Sequence, residues 1–244
     1  MIKTALIQGV GGGIGQALMH QVIQSGLYQQ VFVTARDPSQ IVLTDPCVIP
    51  IELDLESDKS IKSAAREVAS NTKALNLVVT TAGILKEESK GLFPEKKLND
   101  LNRANMETVF SINCFGPFLW YAALDQLIRH RESLIIATLS ARVGSIGDNR
   151  LGGWYSYRAS KTAQNMLTKN LSLELRRTNP LAIVVGLHPG TVDTNLSKPF
   201  QSGVPADRLF RPDQSAGYLW SILKALKPER SGEVIAWDSE VIHP

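Results

Sequence analysis

Short, unbroken apolar runs recur along the chain with helical patterning between them, at residues 5–8, 31–34, 48–53, 75–80, 134–139, 182–187 and 234–237. Runs without polar alternation mark strands buried on both faces, and parallel sheets are the ones covered on both sides. Between the first two runs, Ile14, Ala17, Leu18 and Val22 recur at helical spacing up to Gly26, a C-terminal cap. Strand alternating with helix predicts an α/β protein with a doubly wound, mainly parallel seven-stranded sheet and helices on both faces.

Two longer helical stretches follow. One spans residues 98–131, passes through Asn113, and is interrupted at Gly116-Pro117, where proline removes a backbone donor. The other spans residues 156–177 and stops before Asn179-Pro180. Residues 198–212 carry Pro199, Gly203, Pro205 and Pro212 with little periodicity. That pattern predicts a loop or lid with a short helix, not an interdomain linker. Residues 1–244 therefore read as a single domain, with a substrate loop at about 190–212.

The first run leads directly into Gly9-Val10-Gly11-Gly12-Gly13-Ile14-Gly15, which opens the first helix. Glycines at a strand-to-helix turn let the backbone approach a pyrophosphate, and the helix N-terminus faces the negative charge. A GxGxxG spacing fails, because Ile14 or Leu18 stands where its last glycine belongs; GxxxGxG fits at Gly9, Gly13 and Gly15. No Gly-Lys-Ser/Thr follows, which disfavours a phosphate-loop NTPase. The second strand ends at Arg36-Asp37, where the adenosine ribose of a dinucleotide is met. Arginine offers a planar fork to a 2′-phosphate, so Arg36 favours NADP(H) over NAD(H). Asp37 leaves two alternatives: it neutralises Arg36, or it reaches the ribose itself.

Composition narrows the classes. The 244 residues, 43% of them apolar, suffice for one large core. The net charge of +3 comes from scattered Lys and Arg without a basic run, which argues against nucleic acid. No apolar stretch approaches the ~20 residues of a membrane helix, and the N-terminal run is too short for a signal-peptide core. Cys47 and Cys114 lack any CxxC or Cys/His spacing, so reduced thiols and a cytoplasmic location are expected. His20, His130, His188 and His243 are dispersed without zinc spacing, and no metal is expected.

Tyr157-Arg158-Ala159-Ser160-Lys161 puts a phenol and an ammonium four residues apart, hence on one helix face. A neighbouring positive charge stabilises a phenolate and lowers its pKa. Taken alone, such a pair is most often a surface coincidence. Here it has company: the glycine turn, Asp54-Leu55 after the third strand, Ala82-Gly83 after the fourth, Asn113 in the long helix, and Ser140 after the fifth strand. His188-Pro189-Gly190-Thr191-Val192-Asp193-Thr194 follows the sixth.

In that order and spacing the chain resembles the short-chain dehydrogenases/reductases over essentially its full length. Residues 140–149 and 155–161 look most like the C-factor and Sniffer-type carbonyl reductases. The resemblance implies a Rossmann domain in which Tyr157 is the general acid of carbonyl reduction and the base of the reverse reaction. Lys161 would lower the Tyr157 pKa and hold the nicotinamide ribose. Ser140 would hydrogen-bond the substrate oxygen, and Asn113 would bind a water linking Lys161 to solvent. Their bland counterparts are a strand-end hydroxyl capping a turn and an amide satisfying backbone near Gly116-Pro117.

By the same resemblance Gly9, Gly13, Ile14 and Gly15 would cradle the pyrophosphate. Asp54 and Leu55 would border the adenine, and Ala82 and Gly83 would let the backbone pass close to the cofactor. Pro189, Gly190 and Val192 would wrap the nicotinamide end, with Thr194 near the pyrophosphate. Homodimers or homotetramers built on the two long helices are also implied. The chain departs from the family pattern at Gln8, where threonine is usual, and at Thr80-Thr81, where asparagines are usual. Residues 141–156 form a longer connection than is common, and Tyr155 does not fit the catalytic spacing. Trp154, Ile146, Leu196 and Phe200 are candidates for an apolar substrate pocket.

The function expected is reversible reduction of a carbonyl on a small, fairly apolar substrate. The alternative is a cofactor-binding regulatory or signalling protein with this fold and little turnover.

Overall fold

The computed structural model describes residues 2–42 and 45–244. The chain opens with β1 (Thr4–Gln8), α1 (Gly13–Gln24), β2 (Gln30–Ala35) and β3 (Val48–Glu52), then α2 (Asp58–Asn71) and β4 (Leu77–Thr80). It continues with α3 (Arg103–Phe110), a π-helical turn (Ser111–Phe115), α4 (Gly116–Ala123), α5 (Asp125–Ile128), β5 (Leu134–Leu139) and α6 (Tyr155–Arg176). After β6 (Ala182–His188) come the short β7 (Thr191–Val192) and β8 (Leu209–Phe210), then α7 (Pro212–Ala225) and β9 (Val234–Ala236).

One seven-stranded sheet has the order β3-β2-β1-β4-β5-β6-β9, and every neighbouring pair is parallel. The unbroken apolar runs arise because alternate side chains enter two separate cores. Ala5, Ile7, Val31, Val33, Leu77, Val79, Val185 and Leu187 pack with Leu18 of α1 and Leu219 of α7. Leu6, Phe32, Val78, Ile136 and Val184 pack on the other face with Ala64 of α2, Trp120 of α4 and Leu175 of α6. Each large side chain buried this way contributes about 1.5–3 kcal/mol.

Because the strands are parallel, the chain leaves β1, β2, β4, β5 and β6 on one edge. The strand order reverses between β1 and β4, and crevices at such reversals take ligands. Beneath this edge the buried Tyr121 hydroxyl meets Thr80 Oγ1 at 2.8 Å and Thr138 Oγ1 at 2.7 Å, tying α4 to β4 and β5. Burial pushes this phenol up to about 12, so it stays a neutral strut.

The long pattern over residues 98–131 is interrupted next to Gly116-Pro117, as expected: in the π turn Gly116 N reaches back to Ser111 O, and α4 starts at Gly116. Three expectations are corrected. The fourth strand starts at Leu77 and not at residue 75, since Leu75 N is bonded to Leu127 O. Pro212 does not end a loop: it is the first residue of α7, where a missing N–H leaves no helical bond unmade. Within residues 190–212, β7 and β8 pair in parallel, Thr191 with Leu209 and Val192 with Phe210, alongside 3₁₀ turns at Lys198–Gly203 and Ala206–Arg208. No helix among the described residues is long and apolar enough to cross a membrane.

Candidate active site

α6 begins without a side-chain cap of its own. Trp154, in the left-handed conformation at φ 49°, precedes it. The capping group comes from the segment between β4 and α3: the buried Glu95 carboxylate accepts from Ser156 N at 3.2 Å and from the Ser156 hydroxyl. The Glu95 carbonyl accepts from Trp154 N. A donor left open by the first helical turn is thereby satisfied from a residue far away in sequence.

The next residue is Tyr157, buried, whereas Tyr155 is exposed. Lys161, one turn on, is also buried, and its Nζ donates to Leu139 O at 2.7 Å. Gln164 Nε2 donates to the same carbonyl at 3.2 Å. Burial pushes the Tyr157 phenol up to about 12 and the Lys161 ammonium down to about 7, since both charged forms lose water. The lysine is expected from sequence to lower the phenol's pKa. In the structure burial raises it, and Tyr157 rests as the neutral phenol, a proton donor.

Ser140 follows β5, with its N–H on Leu187 O at 2.7 Å and its Oγ donating to Asn165 Oδ1 at 2.6 Å. A hydroxyl has one proton, so bonding a substrate oxygen requires Ser140 to release Asn165. Asn113 lies in the π turn, fully buried. Its Oδ1 accepts from Ile84 N at 2.7 Å, and its Nδ2 donates to Ile84 O at 2.9 Å and to Ser160 Oγ at 3.2 Å. The amide therefore clamps the backbone after β4. Gly83 joins the group: a Cβ there would stand 3.5 Å from Asn113 Oδ1, 3.7 Å from Leu196 Cδ1 and 3.9 Å from Lys161 Nζ.

The glycine turn is built for close approach. Gly9 has φ +92°, and a Cβ on it would lie 2.6 Å from Thr81 Oγ1; one on Gly15 would lie 2.3 Å from Gly9 O. Gly13 faces Thr194 and Pro212, so the turn after β1 meets the segment after β6, and Ile14 packs half-buried on the core. Bare backbone flanking a helix N-terminus fits a dinucleotide pyrophosphate. Arg36 is exposed with no carboxylate within 4 Å among the described residues. Asp37 does not neutralise it: that carboxylate accepts from Ser39 N, Ser39 Oγ and Gln40 Nε2, capping a 3₁₀ turn, and these bonds hold its pKa below the usual range.

The remaining cofactor candidates are less exposed. Asp54 is half-buried and accepts from Glu56 N at 3.0 Å, while the Leu55 side chain is buried in the core with its Cβ 2.7 Å from where a Cβ on Gly116 would stand. The Leu55 side chain is thus a packing element. Ala82 N donates to Gln8 Oε1 at 3.2 Å. Pro189 O accepts from Ser215 Oγ at 2.8 Å, and Gly190 has φ +78°, with Phe210 leaving no room for a side chain. The Val192 side chain is buried. Trp154 lies edge-on to Tyr157 at 6.2 Å and to Phe200 at 4.9 Å, forming one aromatic wall. Ile146, by contrast, is 70% exposed and stands apart from it.

The family profile described as short chain dehydrogenase matches residues 3–204. The chain belongs to the short-chain dehydrogenase family. Curated relatives include 1-hydroxy-2-glutathionyl-2-methyl-3-butene dehydrogenase of a Rhodococcus species, 30% identical with 95% of each chain covered. The C-signal of Myxococcus xanthus is 32% identical over 68% of this chain and 92% of the relative. Among solved structures, NADPH-bound carbonyl reductase from chicken fatty liver superposes with TM-score 0.87 at 26% identity, covering 100% of this chain and 94% of that one. Carbonyl reductase Sniffer of D. melanogaster has TM-score 0.86 at 21% identity, with both chains fully covered, a likeness of fold. This short-chain dehydrogenase is an oxidoreductase acting on CH–OH and C=O groups with NAD(P).

The dehydrogenase's departures from the family pattern compensate one another. Thr81 Oγ1 donates to Gln8 O at 2.8 Å while the Gln8 side chain accepts from Ala82, so β1 and β4 are laced together where the strand order reverses. Glu95 and Asn165 were not found from sequence. Asn165 continues the four-residue row of Tyr157 and Lys161, a signal that could have located it; Glu95 lies in an aperiodic segment and leaves none.

Glu95→Ala is expected to lower unfolding stability by about 1–2 kcal/mol, the scale of a lost cap and an unmet buried donor. It should also lower kcat more than it raises KM, with Glu95→Gln restoring most of both. Denaturant melts and steady-state kinetics on the two variants check this.

Proposed function

We propose that this dehydrogenase is an NADP(H)-dependent carbonyl reductase and alcohol dehydrogenase with Tyr157 as its general acid and base. The observation that carries this reading is the buried Tyr157–Lys161 row beside Gly83 and Ser140 on the carboxyl edge of the sheet. The residues to hold the cofactor are Gly9, Gly13, Ile14 and Gly15 for the pyrophosphate, with Thr194 against Gly13. Arg36 takes the 2′-phosphate, and Asp54, Ala82 and Gly83 line the way between. Lys161 holds the nicotinamide ribose, and the backbone of Pro189, Gly190 and Val192 covers the nicotinamide end. When bound, the nicotinamide supplies the hydride in reduction and takes it in oxidation.

In reduction Ser140 turns from Asn165 and donates to the substrate carbonyl oxygen. As the carbonyl carbon gains hydride, the C=O pair moves to oxygen, which takes the Tyr157 proton. Lys161, with a pKa near neutrality, returns a proton to the phenolate and recovers its own through water at the Asn113 main-chain carbonyl. Trp154 and Phe200 shield the reacting end from solvent, and residues 190–212 act as the substrate loop. Arg36, with no carboxylate within 4 Å among the described residues, supports NADP(H) over NAD(H), as does the NADPH bound to the chicken carbonyl reductase. The regulatory alternative is not favoured, because cofactor binding alone needs neither Ser140 nor a buried phenol.

We also propose a cytoplasmic homodimer or homotetramer. α4 and α6 flank a groove lined by Phe118, Leu167 and Leu171, with Phe115, Leu119, Met166 and Leu173 exposed along them. Cys47 and Cys114 are free thiols.

A panel of aldehydes and ketones with NADPH tests the reaction. Turnover is expected, falling by about a hundredfold or more in Tyr157→Phe. Arg36→Ala should raise KM for NADPH about thirtyfold and leave that for NADH nearly unchanged. Absence of turnover across the panel, or a fully active Tyr157→Phe, would sink the mechanism; a cofactor preference untouched by Arg36→Ala would sink the NADP assignment. Light scattering should give two or four times the 26.7 kDa chain, and a monomer mass would contradict the assembly.

A further inference from the structure

A cavity of about 600 Å³ opens between the segment after β6, residues 203–210 and the turn after β9. Its inner end is His188, the last residue of β6, and its floor includes Phe210 and Trp237, whose rings meet edge to face at 4.7 Å. Two links tie it to the chemistry. His188 follows Leu187, whose carbonyl holds Ser140 N, and Arg142 on the cavity wall stands two residues beyond Ser140. The 3₁₀ turn Lys198–Gly203 carries Phe200 against Trp154 and Gly203 against the cavity, about 6 Å apart at the rise of such a helix.

The rim carries charges of both signs. Arg142 is engaged, with Asp148 at 3.2 Å and Glu240 at 3.9 Å. Arg208 has no carboxylate within 4 Å among the described residues, and Asp238 has no cation within that distance. Among the described residues Asp238 accepts only from Glu240 N, at 3.2 Å. Two unpaired charges of opposite sign thus border one cavity without meeting each other. Burial leaves His188 neutral, with Nδ1 enclosed and unpartnered, so the inner end adds a polar group without a charge.

We propose that this cavity receives a zwitterionic, amino-acid-like tail of the substrate, its carboxylate at Arg208 and its ammonium at Asp238, while the carbonyl lies at Tyr157 and Ser140. The inference rests on the carbonyl-reductase reading and sets its substrate class. In place of the fairly apolar substrate expected from sequence, it calls for a bipartite molecule, apolar at the reacting end and charged at the other. Arginine is suited to the carboxylate because its fork bonds both oxygens.

The test uses 4-acetylphenylalanine, a ketone with a free amino-acid tail, and its methyl ester, which keeps the ammonium and lacks the carboxylate. The native enzyme should favour the acid in kcat/KM, and Arg208→Ala should cut that acid-to-ester ratio about tenfold. Arg208→Glu should invert the preference; both changes are at an exposed position. Equal kcat/KM for acid and ester, or a ratio indifferent to both variants, would overturn the proposal. Should no ketone be reduced, the reductase reading fails by itself. Calorimetric titration of the same two compounds then decides the cavity: tighter binding of the acid, lost in Arg208→Ala, upholds the charged site, and equal binding rejects it.

Discussion

Everything at this site depends on the exclusion of water from one row of α6. Tyr157 and Lys161 sit where the helix crosses the carboxyl edge of the sheet, and burial drives their pKa values in opposite directions. The phenol is held as an acid, and the amine is brought close to neutrality, where it can both give and take a proton. A surface pair with the same spacing would have neither property. The acid–base character of the row is therefore a product of the fold around it, and not of the spacing of two residue types.

That enclosure is assembled from remote segments. Glu95 fixes the start of α6, and Asn113, carried on the π turn before Pro117, clamps the backbone beyond β4. Across the strand-order reversal, Gln8 and Thr81 bond to each other's segments, while Thr80 joins Tyr121 and Thr138 below. The unusual residues at these positions form one alternative lacing of β1 to β4, and the glycine turn above keeps its close approach.

Much of this was legible in the sequence. The seven apolar runs mark the seven sheet strands to within a residue or two, because two-sided burial suppresses polar alternation. The Tyr157–Lys161 row follows from helical spacing alone, and the structure gathers Ser140, Asn113 and Gly83 around it. What sequence could not supply is set by tertiary contact. Periodicity carries no sign of a cap borrowed from Glu95, of β7 pairing with β8, or of Asp37 turning away from Arg36 to cap its own turn. The rise of the Tyr157 pKa has the same origin: adjacency to a cation is visible in a motif, and desolvation is not.

The central claim is that burial keeps Tyr157 a neutral proton donor until substrate and cofactor engage it. Carbon-13 NMR of protein labelled at tyrosine Cζ, with the Tyr157 signal assigned by its loss in Tyr157→Phe, measures this directly. In the protein without cofactor, the signal should hold its neutral-phenol position past pH 10 and titrate only toward about 12. A Tyr157 midpoint below the ordinary tyrosine value of about 10 would contradict the account and return the lysine's charge to the dominant role.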